Sequence, residues 1–273
     1  MTDPVRGTDR NRCSFTLQRS AILAEIILSS ESGLNLLTPE SLGALESICR
    51  ELATDSEIRV VVLRSTGRHF CGGLDLSSHR AVVEDDTSLM EKRRLSDLGS
   101  RTIEALIAIP QPTICALHGA TVGGGAGIAA ACDFRIAARS ATFGYPEILR
   151  GMNLAWHSVA PCVRLVGPAR AKRLIMFGRL EPVTLLAEWG LVDELVDDDD
   201  LTAAVKHMAE ELAALPPLGV QMVKRSVNAI VGPLDAAIMH MDGDQFLLAA
   251  RSDDGREAID AFAEKRLPSY RGN

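Results

Sequence analysis

The six cysteines of this 273-residue chain form no CxxC pair, and none stands with histidines at zinc-ligand spacing, so the signature of a zinc module is missing. Most of them (Cys13, Cys49, Cys71, Cys115, Cys132 and Cys162) sit inside apolar runs, which predicts buried free thiols in a reducing compartment. No stretch reaches the ~18 uncharged apolar residues of a membrane-spanning helix. The opening residues MTDPVRGTDRNR are polar and carry no apolar signal region, so the expected location is the cytoplasm. Positive charge is also short. The 29 Lys and Arg against 36 Asp and Glu leave a net charge of −7, which argues against nucleic acid or an anionic membrane as the main partner. A polyanionic small ligand stays open, because a local basic rim acts over about 10 Å at physiological salt. Repeats of solenoid period and low-complexity segments are lacking too.

What is present is the composition of a chain able to bury a full core, with 47% hydrophobic and 24% charged residues. The aliphatic run at 21–30 reads as a strand. The segment 38–57 reads as a helix, with a Thr38 cap and Pro39 at its first position. The nearly unbroken apolar run at 58–67 predicts a strand buried on both faces. A charged helix over 89–109, a strand over 112–119, a glycine triplet opening a helix, and a strand pair over 132–144 follow. From about Gly167 the chain reads as helical. Strands alternating with helices and then a helical tail predict an α/β core over 1–200 and a C-terminal helical region over 201–273. The aspartates of VDDDDL (196–201) mark the junction. They read as a solvated linker at the start of the next helix rather than a cation site.

Three glycines in a row, Gly123 to Gly125, stand before an alanine-rich segment. No Gly-Lys-Ser/Thr follows, which excludes a Walker loop, and the triplet falls too late in the chain for a Rossmann fingerprint. What remains is a helix N-terminus offering free N–H groups and a positive dipole end to developing negative charge. A second such turn, Gly72-Gly73-Leu74-Asp75, ends the run at 58–67. A third block, ATFGYPEILRGMN, occupies 141–153. Taken together, HFCGGLDL, HGATVGGGAGIAAACDFRIAA and FGYPEILRG resemble the crotonase superfamily, the enoyl-CoA hydratase/isomerase group. The likeness runs from Asn35 to the closing REAIDAFAEKRLPSY.

The resemblance implies a spiral of ββα units with a C-terminal helical trimerisation region, assembling as a homotrimer or homohexamer. It implies an acyl-CoA thioester as substrate, with coenzyme A arriving as part of that substrate and no separate cofactor or metal. The thioester oxygen would be held by the backbone N–H groups of Leu74 and Gly124, with Gly73 and Asp75 flanking the first. Glu147 matches the family's Pro-Glu acid/base. The glutamate that family hydratases carry on the triplet helix is replaced by Gly127, which removes a carboxylate and either leaves room or permits tight packing. One glutamate serves both proton shuttling between carbons, as in the family's isomerases, and the single-glutamate hydration found for aryl-substituted substrates.

Further departures lie in GMNLAWHSVAP (151–161), where relatives carry small residues. Asn153 is a candidate polar contact, the backbone of Ala155 can face the reacting centre, and Trp156 would reshape the acyl pocket or stack on a ring. His157 is either a proton carrier near neutral pH or a histidine hydrogen-bonded in helix packing. The family's coenzyme A lysines align with Ser32 and Ser77, and His79, Arg80, Arg93 and Arg94 stand near enough to substitute. Phe262 and Lys265 match residues that reach a neighbouring subunit's coenzyme A. A non-catalytic acyl-CoA binder, and an acyl-CoA hydrolase or carbon–carbon lyase on the same fold, are the alternatives.

Overall fold

The structure, a computed structural model, describes residues 9–76 and 88–273. In chain order its strands and helices are β1 (Ser14–Ser20), β2 (Leu23–Ser29), α1 (Pro39–Ala53), β3 (Val60–Ser65), α2 (Leu89–Ile107), β4 (Thr113–Leu117), β5 (Ala120–Val122), α3 (Gly124–Ala131), β6 (Phe134–Ala138) and β7 (Thr142–Gly144). A 3-10 turn (Pro146–Arg150) leads to α4 (Val159–Val166), α5 (Pro168–Phe177), β8 (Glu181–Pro182), α6 (Val183–Glu188) and β9 (Glu194–Val196). The tail comprises α7 (Leu201–Ala214), α8 (Pro217–Val231), α9 (Pro233–Met239), α10 (Asp242–Arg251) and α11 (Asp253–Glu264).

Six strands form one sheet in the order β1-β2-β3-β4-β6-β9, and β5, β7 and β8 form a second, smaller one. Only the β1–β2 pair of the large sheet is antiparallel. Its side chains alternate between two cores, as the pleat requires. Val61, Leu63, Cys115, Leu117 and Ala137 face a core shared with α1, α2 and α3. Val60, Val62, Ile114, Ala116, Ile136 and Ala138 face Leu201, Val205, Ala209 and Ala213 of α7. The strand expected to be buried on both faces is therefore β3, and the first helix of the C-terminal region supplies its second cover.

Thr38 caps α1 as expected, its hydroxyl accepting from Ser41 N while the Ser41 hydroxyl accepts from Thr38 N. The stretch 132–144 yields two strands, but they do not pair with each other: β6 belongs to the large sheet and β7 to the small one. The region beyond Gly167 is also not helical throughout, because β9 joins the large sheet beside β6. In the junction, Asp197 pairs with Arg139, and Asp198 accepts from Ser140 N at 3.1 Å, ahead of α7. All six cysteines are buried free thiols. Among the described residues, no group of His, Cys, Asp and Glu is arranged to hold a metal, and no helix is long and apolar enough to cross a membrane.

Candidate active site

The two glycine turns sit side by side. Cys71 N donates to Ala120 O at 3.1 Å and Val122 N to Cys71 O at 2.9 Å, so the turn after β3 is stitched to β5 just before the triplet. Gly73 has a φ of +90°, and a Cβ there would stand 3.1 Å from Val122 O. On the other side, Leu37 N donates to Gly73 O and Asp75 N to Leu37 O. This pairing turns the Leu74 N–H the opposite way, and it takes no partner among the described residues. Asn35 fixes the approach to this turn: its side-chain amide donates to Thr66 O, His69 O and Phe70 O within 3.3 Å.

Gly123 has φ 56° and ψ −119°, outside the regions open to L side chains. Its N–H donates to Gly144 O at 2.9 Å, tying the triplet to the end of β7. Three residues beyond Gly144 stands Glu147. A Cβ on Gly123 would lie 2.8 Å from Glu147 Oε1, so glycine is required twice over. Gly124 is the first residue of α3, and its N–H is among those left unbonded by helix geometry.

Both turns open on one cavity of about 460 Å³, lined by Gly73, Leu74, Asp75, Gly124, Glu147, Asn153, Ala155, Trp156, Phe262 and Lys265 among others. The sequence also pointed to these ten. Glu147 Oε2 is fully enclosed without a hydrogen-bond partner among the described residues. Burial pushes its carboxyl up from 4.5 to about 7, against smaller opposing effects of a backbone hydrogen bond and the Arg150 guanidinium. Asp75 is itself buried and bridged to Arg12 at 3.1 Å. Asn153 donates to Gln245 at 3.4 Å, while its Oδ1 is enclosed and unpartnered among the described residues.

Two candidate substrate contacts, Gly127 and His157, need correction, and at each the packing alternative holds. Gly127 does not line the cavity and leaves no room, because a Cβ there would meet Ser158 Oγ at 2.4 Å. Nor does His157 face the cavity. Its N–H donates to buried Asp242 at 2.9 Å and its Nδ1 lies 3.1 Å from Glu104, which makes it a histidine of helix packing. Trp156 lines the cavity, and its ring fills the space that side chains on Gly99 of α2 and Gly124 would need, at 2.1 and 2.2 Å. Trp156 and His157 are consecutive left-handed residues, with φ of 57° and 52°.

Phe262 and Lys265 line the cavity of their own chain, and Arg150 lies 3.6 Å over the Phe262 ring. Among the coenzyme A candidates, Arg93 is paired with Asp244 at 2.7 Å, and Ser32 Oγ accepts from Leu34 N. Neither these nor Arg94 line the cavity. Ser77, His79 and Arg80 lie outside the described residues. The sequence gives no sign of Arg150 or Ser158, nor of the approach of Gly123 to Glu147. The Gly123–Glu147 approach joins residues 24 apart in sequence (147 − 123), which no local pattern signals.

Residues 18–273 match the enoyl-CoA hydratase/isomerase family pattern. The chain is 28% identical to the short-chain-enoyl-CoA hydratase of Clostridium acetobutylicum, over 92% of its own length and 94% of that protein's. It is 31% identical to the 1,2-epoxyphenylacetyl-CoA isomerase of Escherichia coli, over 90% and 94%. An enoyl-CoA hydratase/isomerase crystal structure from Pseudoalteromonas atlantica superposes with a TM-score of 0.84 at 26% identity, covering 94% of this chain and all of that one. With the stitched glycine turns and the half-buried Pro146-Glu147 pair already in place, a match over nearly the full length leaves one assignment: the chain belongs to the enoyl-CoA hydratase/isomerase family of the crotonase superfamily.

Proposed function

We propose that the protein acts on an enoyl-CoA thioester through an enolate, with Glu147 as the acid/base and the Leu74 and Gly124 N–H groups as donors to the thioester oxygen. Chemistry at the α-carbon of a thioester puts negative charge on the carbonyl oxygen, and two fixed N–H donors in a site of little water stabilise that charge as it forms. The observation that carries this reading is the enclosed Glu147 carboxyl, whose pKa of about 7 suits a group that must both take and return a proton near neutrality. It shares one cavity with both unpartnered backbone donors. A protein that only stored acyl-CoA would have no use for such a base. Trp156, roofing the donor at Gly124, limits the acyl group on that side. Arg150, Phe262 and Lys265 form the part of the cavity suited to the polar, phosphate-bearing end of the thioester.

The same reading includes a homotrimer or a pair of trimers, supported by the apolar residues that the tail exposes. Incubation with 2-enoyl-, 3-enoyl- and aryl-enoyl-CoA thioesters, with products identified by mass and NMR, tests the activity. Glu147→Gln keeps the shape of the side chain but not its basicity. It should still bind acyl-CoA while turnover falls by about 10² or more. Full activity in that variant would reject Glu147 as the base.

A further inference from the structure

We infer that the Ser158 hydroxyl is the acceptor that holds the attacking water, or the β-oxygen of the product, within the Glu147 cavity. The inference rests on Glu147 being the acid/base. It begins with position 127, where α3 presents no side chain. The space beside Gly127 is filled by Ser158, with Oγ 2.4 Å and Cβ 3.5 Å from the point where a Cβ would stand. Ser158 lines the cavity and Gly127 does not. The polar group on this part of the wall therefore comes from the loop after Trp156 and not from the helix.

The hydroxyl's own bonding decides what it can offer. Ser158 Oγ donates to Trp156 O at 3.2 Å, so its proton is committed and its remaining lone pairs are acceptors. An acceptor is what a water molecule needs to be oriented by one O–H while the other O–H faces a base. Glu147 Oε1 lies against Gly123 and Ser158 Oγ against Gly127, so the two oxygens border the first turn of α3 one helical turn apart. The loop is held where it is: Asp242 accepts from His157 N and Glu104 pairs with His157 Nδ1, fixing two successive left-handed residues immediately before Ser158. Such backbone geometry persists only where the surroundings over-determine it, and it concentrates at working sites.

The step balances without another reactant. The water oxygen bonds to Cβ of the enoyl thioester as the Glu147 carboxylate takes one water proton. The enolate collapses by taking that proton at Cα, which returns Glu147 to its ionised form. Ser158 keeps its own proton throughout and acts as a positioning residue.

Two assays on the full-length protein separate this inference from the reading beneath it. Exchange of the α-protons of butyryl-CoA in deuterium oxide needs the base and the donor pair but no attacking water. Hydration of crotonyl-CoA needs all three. Ser158→Ala should keep α-proton exchange and KM near wild type while hydration kcat falls about tenfold to a hundredfold, the order of one orienting hydrogen bond. Ser158→Thr, which keeps the hydroxyl, should recover part of the loss. Gly127→Glu alone should be damaging because Oγ occupies its path, whereas Gly127→Glu with Ser158→Gly should regain hydration. Undiminished hydration by Ser158→Ala, an equal fall in exchange and hydration, or a wild type that exchanges but does not hydrate would each overturn the role of Ser158. Undiminished exchange by Glu147→Gln would instead overturn the acid/base reading.

Discussion

Glycine 124 meets two demands that no other residue meets together. Its N–H opens the α3 helix toward the cavity, and its missing side chain admits the Trp156 ring. Gly124→Ala should push the indole aside at a cost of about 1–3 kcal/mol, the range for overpacking, visible as a lower urea midpoint and altered tryptophan fluorescence. Fluorescence unchanged in a fully stable variant would contradict the contact. Glu147 makes the opposite kind of demand, since its proton is held more tightly in the folded chain than in the unfolded one. Between pH 4.5 and about 7 the folded state binds more protons, so stability falls as pH rises through this window. Above it the buried carboxylate costs about 3 kcal/mol. Glu147→Gln should therefore be more stable than wild type at pH 8 and approach it at pH 5, as measured by urea denaturation at both values. Turnover that uses the ionised base should rise through about pH 7 in the wild type and lose that limb in the variant. At this scale the sequence revealed the donors and the base because their motifs are contiguous. It did not reveal Ser158, whose role depends on a left-handed turn and on the absence of a side chain 31 positions earlier (158 − 127).

At the level of elements, α10 lines the cavity with Phe246 and also steadies its wall through one carboxylate. Asp242 opens the helix, is 5% exposed, and accepts from His157 N. Burial raises the Asp242 pKa, partly offset by that hydrogen bond. Asp242→Ala leaves a buried N–H unsatisfied, which should cost about 1–3 kcal/mol. It should also loosen the turn that delivers Ser158, so that hydration suffers more than acyl-CoA binding. Equal losses in both would mean that Asp242 supports the fold alone. The longer elements were readable because capping and periodicity agree in them: Thr38 and Pro39 start α1, and β3 opens on the unbroken apolar run Val60 to Leu63. Strand β1 escaped notice because most of its residues are exposed and polar, and its place is set by pairing with β2. Strands β8 and β9 are two and three residues long, too short for a period of two to emerge.

Taken as a whole, the molecule leaves apolar surface where an assembly would cover it. Helix α8 has no buried residue, and Leu218, Met222, Val223, Val227 and Ile230 stand in the open. Beyond it, Ile238, Met241 and Leu248 are exposed, while Met239 and Leu247 are buried within their own chain. Exposed apolar residues at this density are what contact between copies of the chain would cover. Sedimentation should give a trimer or hexamer, and a stable 29.3 kDa species at micromolar concentration would contradict it. The tail shows which parts of the site a sequence hides, because the walls of the cavity come from residues 11–76, 122–158 and 246–265, and only their folding brings them together. The closing stretch is itself pinned down: Asp254 accepts from Arg271 N and Gly272 N, and Glu257 accepts from Ser269 N. Since one wall of the cavity comes from residues 246–265, a chain cut before Phe246 keeps both glycine turns and Glu147 without a closed cavity around them. Such a fragment would be silent rather than an unregulated catalyst.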